Sequence, residues 1–290
     1  MKIIVTFSGG KDSLAALLWV RNNMSKRFTT VFCDTGWESE LTYKYIDEID
    51  RKLNLNIVML KSKKYDGLVD LSEKKTRFPS SRRRFCTSEL KSIPMIDYIL
   101  DEVNDDFIVV QGIRGAESAS RAAMNAQCNY FKYYLTPYKT DKNGKPKYHI
   151  YRRKEILRFC EAHATDVIRP VFEWSAQDVV DYILKNGLEP NPLYRMGMKR
   201  VGCFPCIMSR LSEIHQIATR FPERITEISE YETKIRSSFF GPNKIPHRFY
   251  KSAYPLVDDV VKYAKYKYDA GQLFDDREAT TCMSYYGLCE

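Results

Sequence analysis

Short apolar runs rich in β-branched residues recur along residues 1–171, and segments with a helical spacing of apolar positions separate them. Runs of this length and composition are typical of buried strands. The predicted strands are residues 3–7, 29–33, 56–60, 107–111 and 167–171. The helical spacing predicts helices that start near Ser13, cover 39–53, run from Cys86 to Leu100 and start at Ser175.

The alternation of strands and helices indicates the fold class. Strand and helix patterns at this spacing predict βαβ units with right-handed crossovers. We therefore expect an α/β fold built on a doubly wound, Rossmann-like parallel sheet, with a helical C-terminal extension. The expected division is a sheet-containing domain over 1–200 and a helical, cysteine-bearing region over 201–290.

A glycine turn joins the first predicted strand to the first predicted helix. It comprises Ser8, Gly9, Gly10, Lys11, Asp12 and Ser13. Glycine lets backbone approach an oxygen closely, and the N–H groups and dipole of a helix N-terminus favour an anion. Lys11 adds a mobile positive charge, whereas Asp12 is expected to bond the turn backbone or to partner Mg²⁺. The turn therefore predicts a phosphate site, with an ordinary strand-to-helix turn as the alternative, and we call residues 8–13 the phosphate loop.

Polar loops also follow the second and fourth predicted strands. Open α/β sheets place ligand-binding groups at the carboxyl ends of parallel strands. Asp34 and Thr35 follow the second strand and are candidates for contacts with a ribose or an adenine. Gly112, Arg114 and Arg121 lie in the loop after the fourth strand. An arginine in that loop can stabilise negative charge that develops on a phosphate.

Composition narrows the expected surroundings and partners. Apolar residues make up 44% of the chain, which is enough for a core. No apolar run approaches the ~20 residues that span a bilayer, and the N-terminus enters the first strand without a signal-peptide pattern. We therefore expect a cytoplasmic protein with no membrane partner. The net charge of +9 favours polyanionic partners, either nucleotides or nucleic acid.

Residues 129–153 interrupt the alternation of strands and helices. Seven tyrosine or phenylalanine residues interleave there with five lysines around a turn at Asn143 and Gly144. Aromatic faces stack on bases and lysines follow phosphates, so a nucleic-acid contact is one interpretation. We favour the other interpretation, a hairpin that packs its aromatic side chains on the domain.

The order of motifs along the chain is more specific than any single motif. The series is the phosphate loop, Asp34-Thr35-Gly36, Cys86-Thr87 with Leu90-Lys91 and Pro94, Gly112-Ile113-Arg114 with Glu117-Ser118 and Arg121, Trp174-Ser175 with Asp178-Val179 and Tyr182-Ile183, Asn191-Pro192-Leu193-Tyr194, and Gly202-Cys203-Phe204-Pro205-Cys206. This series resembles the phosphoadenosine-phosphosulfate (PAPS) reductase family of the PP-loop ATP pyrophosphatase superfamily, over about residues 1–210. The resemblance implies that ATP is split to AMP and pyrophosphate while a substrate is adenylated.

Three departures from the family pattern bear on the expected activity. Adenylylsulfate reductases hold a 4Fe–4S cluster through a Cys-Cys pair and a later Cys-x-x-Cys, whereas Phe85 replaces the first cysteine of the pair here. The chain also lacks their Glu-Cys-Gly-Leu-His motif, which carries the catalytic thiol. True sulfonucleotide reductases usually have a degraded phosphate loop. The loop here is intact, as in the ATP sulfurylase small subunit and the sulfur-inserting subunit of DNA phosphorothioation systems.

The chain has eight cysteines, and in a reducing compartment these are more often metal ligands, reactive thiols or packed side chains than disulfides. A cluster or a structural zinc ordinarily takes four ligands. We favour a 4Fe–4S cluster, and its expected ligands are Cys86, Cys203, Cys206 and a tail cysteine, with Cys282 preferred over Cys289. Zinc on the same thiolates is the main rival, and a metal-free redox pair of Cys203 and Cys206 is the third interpretation. The remaining cysteines are expected to be packing residues: Cys33, Cys128 and Cys160.

These expectations combine into a first hypothesis, an ATP-using adenylating enzyme or sulfurtransferase with nucleic acid as one candidate acceptor. Backbone N–H groups of the phosphate loop and Lys11 would bind the phosphates of Mg²⁺-ATP, and Arg114 or Arg121 would stabilise charge at the α-phosphate. Sulfur held by the cluster or by Cys289 would then displace AMP. The alternatives are a sulfonucleotide reductase and a non-catalytic nucleotide-binding regulator. Candidate protein partners are a sulfur donor and a thiol reductant.

Overall fold

A computed structural model describes residues 1–269 of the chain. The chain divides into two compact units. Unit 1 comprises residues 1–33, 46–60 and 92–190. Unit 2 comprises residues 34–45, 61–91 and, within the described part of the chain, 191–269. Both units are therefore built from segments that are far apart in the sequence.

Unit 1 contains the sheet. Its strands are β1 (Lys2–Thr6), β2 (Thr29–Cys33), β3 (Val58–Leu60), β4 (Phe107–Gln111), β5 (Gln127–Asn129), β6 (Lys139–Thr140), β7 (Pro146–Lys147) and β8 (Thr165–Ile168). A six-stranded sheet has the order β3-β2-β1-β4-β8-β5 and is parallel except for the pairing of β5 with β8. Because β1 has β2 on one side and β4 on the other, the winding direction reverses between β1 and β4. The predicted α/β fold with a doubly wound parallel sheet is confirmed.

Helices follow the strands and form most of the C-terminal region. They are α1 (Lys11–Asn23), α2 (Glu40–Leu53), α3 (Leu68–Lys74), α4 (Phe85–Thr87), α5 (Ile93–Tyr98), α6 (Ala119–Ala122), α7 (Lys132–Leu135), α8 (Arg153–Ala162), α9 (Ala176–Lys185), α10 (Leu211–Arg220), α11 (Pro222–Ile235) and α12 (Val257–Asp269). Shorter π-helical turns cover Ser88–Ser92 and Ile99–Val103, and 3₁₀ turns cover Gly115–Glu117, Pro192–Met196 and His247–Phe249. None of the helices in residues 1–269 is long and apolar enough to cross a membrane.

Some element boundaries differ from the sequence prediction. The predicted helix from Cys86 to Leu100 is instead a series of short α-helices and π-helical turns. The last strand ends at Ile168 rather than at residue 171, because Pro170 has no N–H to donate to a ladder. The start of α9 agrees with the prediction, since the Ser175 hydroxyl accepts the backbone N–H of Asp178 in a capping box.

The core of unit 1 forms where helices and the insertion cover the sheet. Phe107, Phe131 and Phe159 meet edge-on or tilted, with ring centroids 5.9–6.5 Å apart. Ile4 and Val109 are fully buried in the same cluster. The sequence-predicted packing cysteines are half-buried against this cluster: Cys33, Cys128 and Cys160.

The basic aromatic insertion packs part of its aromatic side chains on unit 1. Its strands β6 and β7 form an antiparallel hairpin, and Gly144 in the connecting turn has φ +76°, which glycine adopts without strain. The Tyr138 ring stacks on His149 at 5.0 Å, and Tyr134 is buried. Buried Tyr134 supports the packing interpretation, whereas Tyr133 and Tyr138 are 48% and 43% exposed, so the insertion also presents aromatic rings to solvent.

Unit 2 is held by a separate apolar cluster. The Phe239 ring contacts Trp37 and Phe78 at centroid distances of 6.0 and 5.0 Å. Helices α10, α11 and α12 pack on one another and bury Ile217, Ile228 and other apolar side chains in this cluster. The predicted helical character of the C-terminal region is confirmed over residues 211–269.

Candidate functional site

The phosphate loop lies between β1 and α1 in unit 1, as the sequence predicted. Gly9 has φ +74°, a conformation that favours glycine. Gly10 is the N-cap of α1 and provides no side-chain cap, so the first turn of the helix presents its backbone at the loop. The Ser13 hydroxyl donates to the Gly10 carbonyl at 2.8 Å and accepts the Ser8 backbone N–H at 3.2 Å. The loop is therefore closed by its own side chains.

The end of β4 lies directly against this loop. An ideal Cβ built on Gly112 would lie 2.3 Å from the Asp12 carbonyl oxygen and 2.4 Å from the Ser13 Cα. Backbone atoms cannot move aside for such a group as a flexible side chain could. Gly112 is therefore required by the close approach of β4 and α1, which positions the phosphate loop.

Asp12 has a partner that the sequence did not indicate. The Arg114 Nε donates to Asp12 Oδ1 at 2.6 Å, and the Arg114 side chain is 2% exposed. Lys11 Nζ lies 3.7 Å from the other carboxylate oxygen, and Lys11 is itself buried. The carboxylate thus joins two cations beside the loop instead of serving mainly as a backbone-bonding turn residue. Arg114 and Asp12 are 102 positions apart, so no local pattern could have paired them.

Arg121 lies beyond Arg114 in the segment after β4, within α6, and its environment is more exposed. Ser118 caps α6 by accepting the Arg121 backbone N–H. The Arg121 guanidinium forms an ion pair with Glu117, and its side chain is 38% exposed. Of the two arginines predicted for charge stabilisation, Arg121 has the accessible side chain and Arg114 the buried one.

Asp34 and Thr35 belong to unit 2. Asp34 Oδ1 accepts hydrogen bonds from the Tyr43 hydroxyl at 2.6 Å and the Gly36 N–H at 2.9 Å, and Lys61 Nζ lies 3.1 Å from Oδ2. Burial alone would raise the pKa of Asp34, but these three donors outweigh it and hold the pKa below its usual value. The Asp34 carboxylate is therefore part of a hydrogen-bond network within unit 2.

Glu38 organises the same network and was missed by sequence reasoning. Its carboxylate accepts the Thr35 hydroxyl at 2.7 Å and the Thr35 N–H at 3.1 Å. The Tyr43 hydroxyl lies 3.1 Å from the same group. Burial, followed by the neighbouring carboxylates Asp34 and Glu38, raises the pKa of Tyr43. Both predicted ribose or adenine contacts, Asp34 and Thr35, therefore have their side chains bonded within the protein.

Three candidate metal-ligating cysteines lie in unit 2. Burial raises the pKa of the Cys86 thiol, and negative charge on Cys206 raises it further. Burial also raises the pKa of Cys203, where Lys91 opposes the shift and Cys206 adds to it. The Cys203 sulfur lies 3.6 Å from the Thr35 hydroxyl. Cys86 and Cys203 therefore both lie near enough to Cys206 to interact with it electrostatically, although more than 100 residues separate Cys86 from the pair.

These thiols do not amount to a metal centre by themselves. Within residues 1–269, no three His, Cys, Asp or Glu side chains converge in an arrangement that could hold a metal ion. A four-thiolate group needs one more cysteine, and the predicted candidates Cys282 and Cys289 lie outside the described residues. The described donor set thus falls short of the ligands that a 4Fe–4S cluster or zinc requires.

Comparisons with known proteins relate the chain to one family. A family model for the phosphoadenosine phosphosulfate reductase domain matches residues 2–209. An uncharacterized 37.8 kDa protein of Escherichia phage 186 is 30% identical over 99% of this chain and 96% of its own length. An adenosine 5'-phosphosulfate reductase of Chelativorans is 24% identical over 70% of this chain and 68% of its own length.

Other matches cover less or are more distant. The chain spans 39% and 45% of the length of two uncharacterized relatives from Methanocaldococcus jannaschii. The crystal structure of a PAPS reductase from Candida auris is 16% identical, with a TM-score of 0.46 over 71% of this chain and 83% of that chain.

Proposed function

The chain belongs to the phosphoadenosine phosphosulfate reductase domain family, and we propose that it is an enzyme that binds ATP and splits it to AMP and pyrophosphate while adenylating a substrate. The observation that carries this proposal is the intact phosphate loop at the start of α1. Gly9 adopts φ +74°, and Gly10 caps the helix through backbone alone. Such a helix N-terminus, preceded by glycine, is well suited to a chain of phosphates.

The residues around the loop support distinct roles. Lys11 contributes positive charge within the loop, and ATP would arrive as its Mg²⁺ complex, which spreads the charge of the phosphates. Arg114, held on Asp12 at 2.6 Å, would position the first turn of α1. Arg121, which is 38% exposed, is the better candidate for stabilising charge on the α-phosphate as pyrophosphate departs.

Sulfur transfer is the finer part of the proposal. An adenylated oxygen is a good leaving group, so a sulfur nucleophile could displace AMP from the activated substrate. The candidate carriers are a cluster on the half-buried thiols Cys86, Cys203 and Cys206 or the tail thiol Cys289. On Cys289 the sulfur would be a persulfide supplied by a sulfur donor protein, and a thiol reductant would cleave the S–S bond that remains between carrier and product once AMP has left. The net charge of +9 supports a polyanionic acceptor such as nucleic acid.

A sulfonucleotide reductase is the second candidate. The observation in its favour is the family match, together with the Chelativorans relative named as an adenosine 5'-phosphosulfate reductase. The sequence argues against it, because the chain lacks the terminal Glu-Cys-Gly-Leu-His motif and has Phe85 before Cys86. Such a reductase would need a thiol reductant protein, and it would release sulfite instead of pyrophosphate.

Product analysis separates these activities. The full-length protein would be incubated with Mg²⁺-ATP and candidate acceptors while pyrophosphate is measured, and in parallel with adenylyl sulfate or PAPS and a thiol reductant while sulfite is measured. We expect pyrophosphate, lost in Lys11→Met and kept in Lys26→Met, which changes an exposed lysine outside the loop. Sulfite release without pyrophosphate would establish the reductase instead. Tight ATP binding with neither product would indicate a nucleotide-binding regulator.

The metal content of the cysteine site is tested by a separate experiment. A 4Fe–4S cluster on Cys86, Cys203, Cys206 and a tail cysteine remains our hypothesis, with zinc as its rival. Anaerobic purification followed by iron, sulfide and zinc analysis distinguishes the two. Zinc without iron would eliminate the cluster, and the absence of both metals would eliminate the four-thiolate site. Cys282→Ser and Cys289→Ser would show which tail thiol completes the site.

A further inference from the structure

A small cavity in unit 1 opens at the carboxyl ends of the parallel strands β4 and β8, beside the antiparallel strand β5. Its volume is about 120 Å³, and its lining includes Gln111, Cys128, Lys132 and Arg169. Gln111 ends β4 and Arg169 follows β8, and the register pairs their preceding residues, Val110 with Ile168. Neighbouring positions on adjacent parallel strands lie about 5 Å apart and direct their side chains to the same face. Gln111 and Arg169 therefore flank one cavity.

Arg169 is a buried cation with uncharged partners. Its residue exposure is 7%, and its Nη1 group contacts the Asn125 carbonyl and lies 3.8 Å from the Cys128 sulfur. Its Nε has no hydrogen-bond partner among the described residues. No ion pair with Arg169 occurs within residues 1–269 either. A guanidinium that is withdrawn from water in this way is costly unless an anion compensates its charge.

Two further features of the cavity lining favour an anion as the ligand. The side-chain oxygen of Gln111 is also buried without a partner in the described part of the chain, and rotation of the amide would present its NH₂ group instead. Lys132 adds a second positive charge, and no aspartate or glutamate lines the cavity. A water molecule could satisfy one or two of these polar atoms, but it would leave the charge of Arg169 uncompensated.

We propose that this cavity binds the oxyanion group of a small molecule, namely a carboxylate, sulfate or phosphate, with Arg169 as its principal ligand. The carboxyl end of β8 is two strands away from that of β1, which places the cavity about 10 Å from the phosphate loop. A substrate anchored at that distance could receive the adenylyl group from a nucleotide on the loop. The anion then belongs to the acceptor substrate, and this assignment rests on the proposed function. A free inorganic anion shares the same chemistry.

Cys128 provides a reporter inside the cavity. The full-length protein would be treated with iodoacetamide, and the modified peptides quantified by mass spectrometry, with sulfate, phosphate or acetate added against chloride at equal ionic strength. We expect one of these anions to slow alkylation of Cys128 about tenfold at about ten times its dissociation constant. Alkylation of Cys160, which does not line the cavity, should not change. Repeating the titration with a non-hydrolysable ATP analogue bound separates this cavity from the phosphate loop.

Variants test whether Arg169 is responsible. Arg169→Gln should abolish the protection, whereas Arg158→Gln, which changes an exposed arginine of unit 1, should retain it. If Arg169→Gln fails to fold by circular dichroism, Gln111→Leu is the second variant and should weaken protection. Equal protection in wild type and in the folded variant would overturn the proposal, as would no protection by any of the three anions. A Cys128 thiol that does not react at all would also overturn it, because the cavity would then admit no small molecule.

The same titration identifies the chemical class of the anion. Stronger protection by acetate or other small carboxylates indicates a carboxylate-bearing substrate, whereas stronger protection by sulfate or phosphate indicates those anions, free or carried by a substrate. The measurement requires no turnover. Protection with no pyrophosphate release would therefore confirm the cavity and refute the adenylation, and the opposite pair of results would do the reverse.

Discussion

Replacement of Arg114 by methionine tests whether the buried ion pair behind the phosphate loop holds that loop in place. Methionine has a similar length but lacks the Nε that donates to Asp12 Oδ1 at 2.6 Å. The pair is well shielded from solvent, since the Arg114 and Asp12 side chains are 2% and 12% exposed. Arg114→Met would thus leave the carboxylate of Asp12 buried without its principal partner.

The expected loss of stability follows from that burial. Removing one member of a buried ion pair typically costs about 3–5 kcal/mol, because the remaining charge is left uncompensated. Lys11 Nζ, at 3.7 Å from the other oxygen of Asp12, compensates part of this charge, so we expect about 3 kcal/mol. In a domain of this size such a loss lowers the melting temperature by on the order of 10 °C.

A double-mutant cycle makes the measurement specific. Unfolding by urea would be followed by circular dichroism for Arg114→Met, Asp12→Asn and the double variant. We expect the double variant to lose at least about 1 kcal/mol less than the sum of the two single losses, because the residues are in direct contact. Additive losses would refute the ion pair as the origin of the effect.

The same variants separate positioning from chemistry. Arg114→Met should weaken nucleotide binding together with stability, because the first turn of α1 loses its support. Arg121→Met changes a more exposed side chain and should lower turnover while leaving the melting temperature within about 2 °C. Unchanged nucleotide affinity in a destabilised but folded Arg114→Met variant would contradict the positioning role.

Three further measurements test other parts of the structure. Gly112→Ala should destabilise unit 1 by more than about 2 kcal/mol and weaken nucleotide binding in a filter or calorimetric assay, because the new methyl group would lie 2.3 Å from the Asp12 carbonyl. Burial raises the pKa of Glu232 to about 7 from 4.5, so the stability that the protonated side chain contributes should be lost as pH rises from about 4.5 to about 7. The melting temperature of wild type should fall over this pH range relative to that of Glu232→Gln. Parallel plots of melting temperature against pH for the two proteins would contradict this. Ser175→Ala should cost about 1 kcal/mol in urea unfolding, since it removes the hydroxyl that caps α9, whereas Ser175→Asp should retain stability.

The sequence predicted the fold because the signals for it are local. Apolar β-branched runs identified β1, β2 and β4, and the glycine turn identified the start of α1 to within two residues. The resemblance to the PAPS reductase family is likewise confirmed by the match over residues 2–209. Each of these signals is contained in a short stretch of chain or in the order of such stretches.

The contacts of the site could not be predicted in the same way. Asp12 and Arg114 are 102 positions apart, and Thr35 and Cys203 are 168 positions apart, so only the folded chain shows that they meet. Glu38 was missed because a glutamate in a polar loop usually faces water. Arg169 was placed inside the predicted strand 167–171, and only the observed end of β8 at Ile168 shows that it follows the strand, where parallel sheets place ligand-binding groups.

The two buried arginines of unit 1 differ in how their charge is compensated. Arg114 is compensated by Asp12, so together with Lys11 the phosphate loop keeps a net formal charge of one positive unit for a nucleotide. Arg169 has no carboxylate partner among the described residues, and its cavity adds Lys132 without any acidic side chain. An arginine that served the fold alone would leave an uncompensated charge in the interior, which is costly. An uncompensated cation about 10 Å from the loop is instead what an enzyme needs when a nucleotide and a second anion must be held on the same sheet edge.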